Sequence, residues 1–223
     1  LQSQESGSPR QQCNAEFSLA FAQLWSGRVG EAGSHLLSCE EAAQSLHDRR
    51  LQVLVSTYVA VAARVRGEVE ETERWASTAI DRAVTAHLPG YVATAKANLA
   101  WVAQQRGDSA RAERSAREAL GLWESPSAYP FEWLARWPLV AVLMQRGDLP
   151  AAMEQAEALL LDQQQPPPPA VASSLEAAAD AWRSGYAEEA RGQLLDALAA
   201  GRSGWEVAGT PATSDTPRIV GPV

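Results

Sequence analysis

The stretch QQRGDSARAE, residues 104–113, and the stretch MQRGDLPAAME, residues 144–154, carry one tripeptide twice, as Arg106-Gly107-Asp108 and Arg146-Gly147-Asp148. On an exposed loop an Arg-Gly-Asp tripeptide can present opposite charges to an adhesion receptor. The recurrence points elsewhere. A step of 40 residues from Gly107 reaches Gly67, a second reaches Gly27, and a step forward reaches Gly147, with Gly185 a further 38 on. Seven residues before each glycine stand Ala20, Ala60, Ala100, Val140 and Ala178. Five after stand Ala32, Thr72, Ala112, Ala152 and Ala190, and nine after Leu36, Ala76, Ala116, Ala156 and Leu194.

A register of small residues around a periodic glycine predicts pairs of antiparallel helices joined by a tight turn. Glycine takes the left-handed conformation that ends a helix at little cost. Arg66, Arg106 and Arg146 then sit at the negative end of helix A, and Glu68, Asp108 and Asp148 at the start of helix B, where a carboxylate meets unpaired N–H groups. The Ala slots lie on one face of helix B by the 3.6-residue period and allow two helices to cross closely. A bulky charged side chain at Ala112 is expected to overpack that contact. Five units in one register predict an all-α fold, a right-handed α-α superhelix of about five helix-turn-helix repeats. Helix A is expected over 13–26, 49–66, 91–106, 131–146 and 169–184, and helix B over 29–46, 69–86, 109–123, 149–162 and 187–200.

One segment competes with this assignment. In VLVSTYVAV, Val53, Val55, Thr57, Val59 and Val61 alternate as in a half-buried strand. The repeat register, with Ala60 and Gly67 in place, favours helix. Pro138 is expected to kink helix A of the fourth repeat or to delay its start. Pro166 to Pro169 read as a stiff connector between the last two repeats. Residues 1–12 and the Gly-, Pro-, Ser- and Thr-rich tail 201–223 are expected to be disordered, flanking a repeat domain at 13–200.

Composition narrows the function classes. The 223 residues are 46% hydrophobic and 21% charged, with a formal net charge of -8. No basic stripe is present to release counterions from a phosphate backbone, so direct nucleic-acid binding is not expected. Cys13 and Cys39 lack metal or redox spacing, which fits a reducing compartment. The longest uncharged run, residues 51–63, is shorter than a membrane span requires. A cytoplasmic protein without membrane attachment is the expectation. The chain opens on Leu1 instead of Met, which suggests a fragment, a processed chain or an incomplete reading frame.

Leu99-Ala100, Gly107-Asp108, Ala112 and Ala119-Leu120 form a pattern that resembles the tetratricopeptide repeat. Residues 91–148, YVATAKANLAWVAQQRGDSARAERSAREALGLWESPSAYPFEWLARWPLVAVLMQRGD, with ALLLDQQQPPPPAVASSLEAAADAW after them, are similar to the carboxy-terminal repeats of large bacterial ATP-dependent regulators. These are signalling ATPases linked to adenylate or guanylate cyclase domains, and LuxR-like transcription activators. The resemblance is clearest over 90–200. The slots where a standard tetratricopeptide repeat favours Trp hold Glu16, Ser56, Lys96, Arg136 and Ser174. Those where it favours Tyr hold Gln23, Ala63, Ala103, Leu143 and Ala181, and the period is 40. The resemblance implies a non-catalytic interaction or regulatory scaffold whose partner is a protein segment or a neighbouring domain. The alternative is a sensor that accepts a small effector. No phosphate-binding G-x-x-x-x-G-K-[ST] occurs, so no cofactor is assigned.

In such a superhelix helix A lines the concave side. Its groove-facing slots hold Phe17, Phe21, Trp25, Trp101, Gln104, Trp137, Met144, Gln145 and Trp182, and exposed aromatics are favoured interface anchors. Core packing between repeats is the competing reading for each. Trp133 and Trp137, four residues apart, share a helix face, either as a ligand shelf or as packing. His35, His47 and His87 fall in separate segments without metal spacing and read as surface residues. The adjacent pairs Glu70-Glu71 and Glu188-Glu189 point apart on a helix, no nucleophile motif stands out, and catalysis is not expected.

Overall fold

Each of the five aligned glycines adopts the left-handed backbone, with φ between 76° and 88°. The turns close alike: Gly107 N–H donates to Gln104 O at 3.1 Å and Asp108 N–H to Ala103 O at 2.9 Å, and the same pair recurs at Gly67, Gly147 and Gly185. These are the two bonds that satisfy the last carbonyls of a helix ending in a Schellman turn. Asp108 and Asp148 cap the following helices by accepting from Arg111 N–H and Ala151 N–H. Glu68 departs from expectation: it makes no cap bond and pairs with Arg66 at 2.7 and 2.9 Å. Arg106 and Arg146 reach back to Glu73 and Glu113 of the preceding hairpin. The Arg-Gly-Asp elements are thus helix end, bend and helix start.

The computed structural model describes residues 8–123 and 129–204. The described residues form ten helices: α1 (Pro9–Trp25), α2 (Val29–Ser45), α3 (Arg49–Val65), α4 (Val69–Thr85), α5 (Pro89–Gln105), α6 (Ser109–Trp123), α7 (Trp133–Gln145), α8 (Leu149–Ala158), α9 (Pro169–Arg183) and α10 (Ala187–Gly204). They pair as five antiparallel hairpins stacked into an α-α superhelix, each B helix packing on the next A helix and α5 packing on both α3 and α7. Every one of the small-residue slots aligned on the glycines is at most 1% exposed, which explains why they are small. Helix α3 covers Val53 to Val61. The alternation arises because this helix is enclosed by α2, α4 and α5, so that almost every side chain from Val53 to Val65 is buried.

A second set of bends was hidden in the sequence. His47 and His87 adopt φ of 52° and 55° and close with the same pair of bonds, His47 N–H to Gln44 O and Asp48 N–H to Ala43 O in the first case. Each lies midway between two turn glycines. Helices α1 to α5 are accordingly 17 residues each, and helix plus bend forms the repeating element. Both histidines are exposed as expected, but they serve as bend residues. Histidine is one of the few non-glycine types that tolerate this region.

Several boundaries differ from expectation. Residues 9–12, expected to be disordered, open α1, because Ser8 caps it in a reciprocal pair with Gln11 and Pro9 suits the first turn. Residues 201–204 extend α10. The expectation for residues 1–7 and 205–223 lies outside the described residues. Helix α8 ends at Ala158 instead of 162, which frees Gln164 to accept from Glu132 N–H at 3.2 Å and donate to Tyr129 O at 3.1 Å. That anchors the late start of α7 at Trp133. No helix of the described residues is long and apolar enough to cross a membrane.

Candidate functional site

Pro138 lies inside α7 and has no N–H, so the carbonyl four residues earlier, Leu134 O, loses its helical donor. That carbonyl accepts from Arg64 Nη1 of α3 at 2.7 Å, and the same nitrogen donates to Ala97 O of α5 at 3.3 Å. One guanidinium therefore ties three successive A helices together. It is 5% exposed, and among the described residues no carboxylate pairs with it. The rings of Trp101 and Trp133 flank it, with centroids 5.7 and 5.3 Å from Cζ, and their electron-rich faces offset part of the missing counter-charge. Burial pushes the Arg64 pKa down to about 9, which leaves the group charged at neutral pH.

Arg64 lines a cavity of about 490 Å³ on the inner face of the stack. Its wall brings together five predicted residues, Trp101, Gln104, Trp137, Met144 and Gln145. The four other candidates are placed elsewhere. Phe21 packs edge-on against Tyr58, Trp25 stacks on Phe131 at 4.9 Å, and Phe17 meets Tyr58 edge-on at 5.4 Å, forming an aromatic core where α1 meets α3 and the start of α7. Trp182 is half-buried against the core of the last hairpin. Trp133 and Trp137 are buried, as the packing reading expects, and both line the cavity. Sequence reasoning missed Arg64. The available signal was a charge in an otherwise apolar helix segment together with a proline in α7.

The groove is not open along its length. The last hairpin departs from the register of the first four: α9 packs mainly on α10, less on α8, and makes no comparable contact with α7. Helix α10 instead reaches the inner face, where Leu195, Leu198 and Gly201 close one side of the cavity. Gly201 sits so close to Trp137 that a Cβ there would overlap the indole. The proline connector and the shortened α8 precede this change of direction.

Alkaline pH should unfold the protein through groups that the same core keeps neutral. Burial raises Cys39 from its ordinary 9.0 to about 12 and Tyr129 from 10.0 to about 12, and it also raises Cys13, Tyr58 and Tyr91. An acid whose folded pKa is raised contributes stability that is complete below its unfolded pKa and is lost as pH rises through the folded one. Arg64, a depressed base, acts in the opposite sense from pH 9 upward but is one group against five. The urea midpoint is expected to hold level to about pH 8.5 and to fall from there toward pH 12. Cys39→Ala should delay the onset. A midpoint unchanged to pH 11 would contradict the assigned burial.

The fold defines an all-α helical-repeat protein, with one cavity among the described residues lined by α3, α5, α7 and α10. Among solved structures the chain is similar to the crystal structure of BtubC (BKLC) from P. vanneervenii, at 21% identity and a TM-score of 0.58, over 94% of this chain and 86% of that one. At that identity the likeness establishes the fold alone. No protein-family model matches, and no curated protein matches.

Proposed function

We propose that the chain is a non-catalytic interaction and regulatory module, of the kind that forms the carboxy-terminal repeats of bacterial signalling ATPases and transcription regulators. It holds a partner segment or neighbouring domain on its inner face. The observation that carries this reading is the convergence of Trp101, Trp133, Trp137, Gln104 and Gln145, from successive A helices, on one cavity. Large aromatic surfaces with amide groups between them supply contact area and orientation. Among the described residues no cluster of His, Cys, Asp or Glu could hold a metal ion.

A second reading, a sensor for a small effector, is favoured by one specific feature. Helix α10 covers the cavity from one side, which suits a compact ligand better than an extended chain running through. Affinity capture from the native host followed by mass spectrometry tests the first reading. A partner retained by the wild type and by Ala110→Glu on the outer helix α6, but depleted about tenfold or more by a Trp101→Ala, Gln104→Ala double variant, is the expected outcome. Identical partner sets for all three proteins would refute it.

A further inference from the structure

We propose that the inner-face cavity is a binding site for a small monocarboxylic acid with a planar apolar body, and that Arg64 is the residue that recognises its carboxylate. This rests on reading that cavity as the protein's ligand site, and it gives the sensor reading a chemistry. Three observations carry it.

The first is an uncompensated charge. The Arg64 side chain is almost fully buried, yet among the described residues its partners are two carbonyls on Nη1 and two indole faces. Nε and Nη2 have no acceptor among the described residues. A buried cation without a counter-ion is costly, and a structural role alone, bridging Leu134 O and Ala97 O, uses one of its three nitrogens. The Nε–Nη2 edge is one of the two forks on which a guanidinium takes a carboxylate through parallel hydrogen bonds.

The second is selectivity of charge. Among the described residues lining the cavity, Arg64 is the only charged side chain; the others are aromatic, aliphatic or amide, with glycine and proline between them. Among these residues one positive charge is balanced by one negative charge, so a monoanion fits better than a dianion or a phosphate. The third is shape. The half-buried Trp101 indole beside Arg64 offers a flat apolar neighbour for a planar body, and a volume of about 490 Å³ with α10 across one side lies within the range of small-ligand sites.

The test uses the complete chain and benzoate as probe, with benzyl alcohol and benzylamine as neutral and cationic isosteres and acetyl-Gly-Gly-Phe, as free acid and amide, as a peptide arm. Binding is read from the indole N–H and arginine Nε–H resonances. Benzoate is expected to bind at millimolar concentration, at least about tenfold more tightly than benzyl alcohol, with benzylamine weaker still. It should shift the Arg64 Nε–H and the Trp101 indole. Arg64→Met should lose at least about tenfold in benzoate affinity while Arg64→Lys retains part of it. Should Arg64→Met fail to fold, the three isosteres on the wild type decide alone. Equal binding of benzoate and benzyl alcohol, no binding of benzoate, or unchanged affinity in a folded Arg64→Met overturns the proposal. Binding of the peptide acid in preference to benzoate overturns the small-ligand assignment in favour of a chain terminus. Failure here, with partner capture still dependent on Trp101, leaves the inner face as a partner surface. Benzoate binding with capture indifferent to Trp101 removes the scaffold reading instead.

Discussion

Replacing Ala112 with glutamate should unfold the centre of the stack, at a cost of about 4 kcal/mol or more. Ala112 on α6 has no exposed surface and packs against Ala103 of α5 and Val142 of α7, so a longer side chain must displace two neighbouring helices. Overpacking alone costs about 1–3 kcal/mol. The glutamate adds a carboxylate with no cation within the contact, and burying a polar group without a partner costs about 2 kcal/mol or more. Against a total stability of about 5–15 kcal/mol this is a large fraction, and the urea midpoint should collapse or the helical circular dichroism be lost at 37 °C. Ala110→Glu, two residues away on the exposed face among Glu113, Arg114, Arg117 and Glu118, should stay within about 0.5 kcal/mol of wild type. Equal behaviour of the two variants would mean that the small slots do not mark the helix contacts.

Glu40→Ala should cost about 3 kcal/mol through a different mechanism. Glu40 on α2 is 4% exposed and takes both Arg82 amino groups, at 2.6 and 3.0 Å, across to α4. Arg82 also donates to Gln52 O on α3 at 3.1 Å, and Gln44 donates to Glu40 at 2.8 Å. The pair therefore holds three helices. Removing the carboxylate leaves a largely desolvated guanidinium with a single carbonyl partner. Removing both charges should be much milder, since Glu40→Met with Arg82→Met replaces the pair by apolar side chains of similar length. Chemical denaturation of the two singles and the double forms a cycle. A double variant no more stable than either single would refute the account.

The contrast between these positions shows what local pattern can and cannot report. Ala112 was legible because its neighbours recur at fixed distances from a turn glycine, so one alignment names the slot in every repeat. Glu40 was not. Its partner is 42 residues away and nothing periodic marks either residue. The bends at His47 and His87 escaped for a related reason: their backbone conformation equals that of the turn glycines, but no glycine advertises it.

Arg64 follows the same division. Pro138 was expected to kink α7 or to delay its start, but α7 begins five residues before it and runs on through it to Gln145. Its consequence, a carbonyl that needs an outside donor, is met from 70 residues earlier in the chain. Of the aromatic candidates, Trp101 and Trp137 reach the cavity while Phe21 and Trp25 enter the core between α1, α3 and α7. Phe21 and Trp101 even share one register position, six residues before the turn glycine.

The sequence by itself determined the helices, their bends at Gly27, Gly67, Gly107, Gly147 and Gly185, and the small residues between them, because these depend on backbone sterics and on contacts within a hairpin or to the next. Only the tertiary structure decided which side chains share a cavity, where Arg64 finds its acceptors and how α10 comes to lie across the inner face. Those outcomes depend on rotations that accumulate from hairpin to hairpin, and no window of sequence contains all the residues that set them.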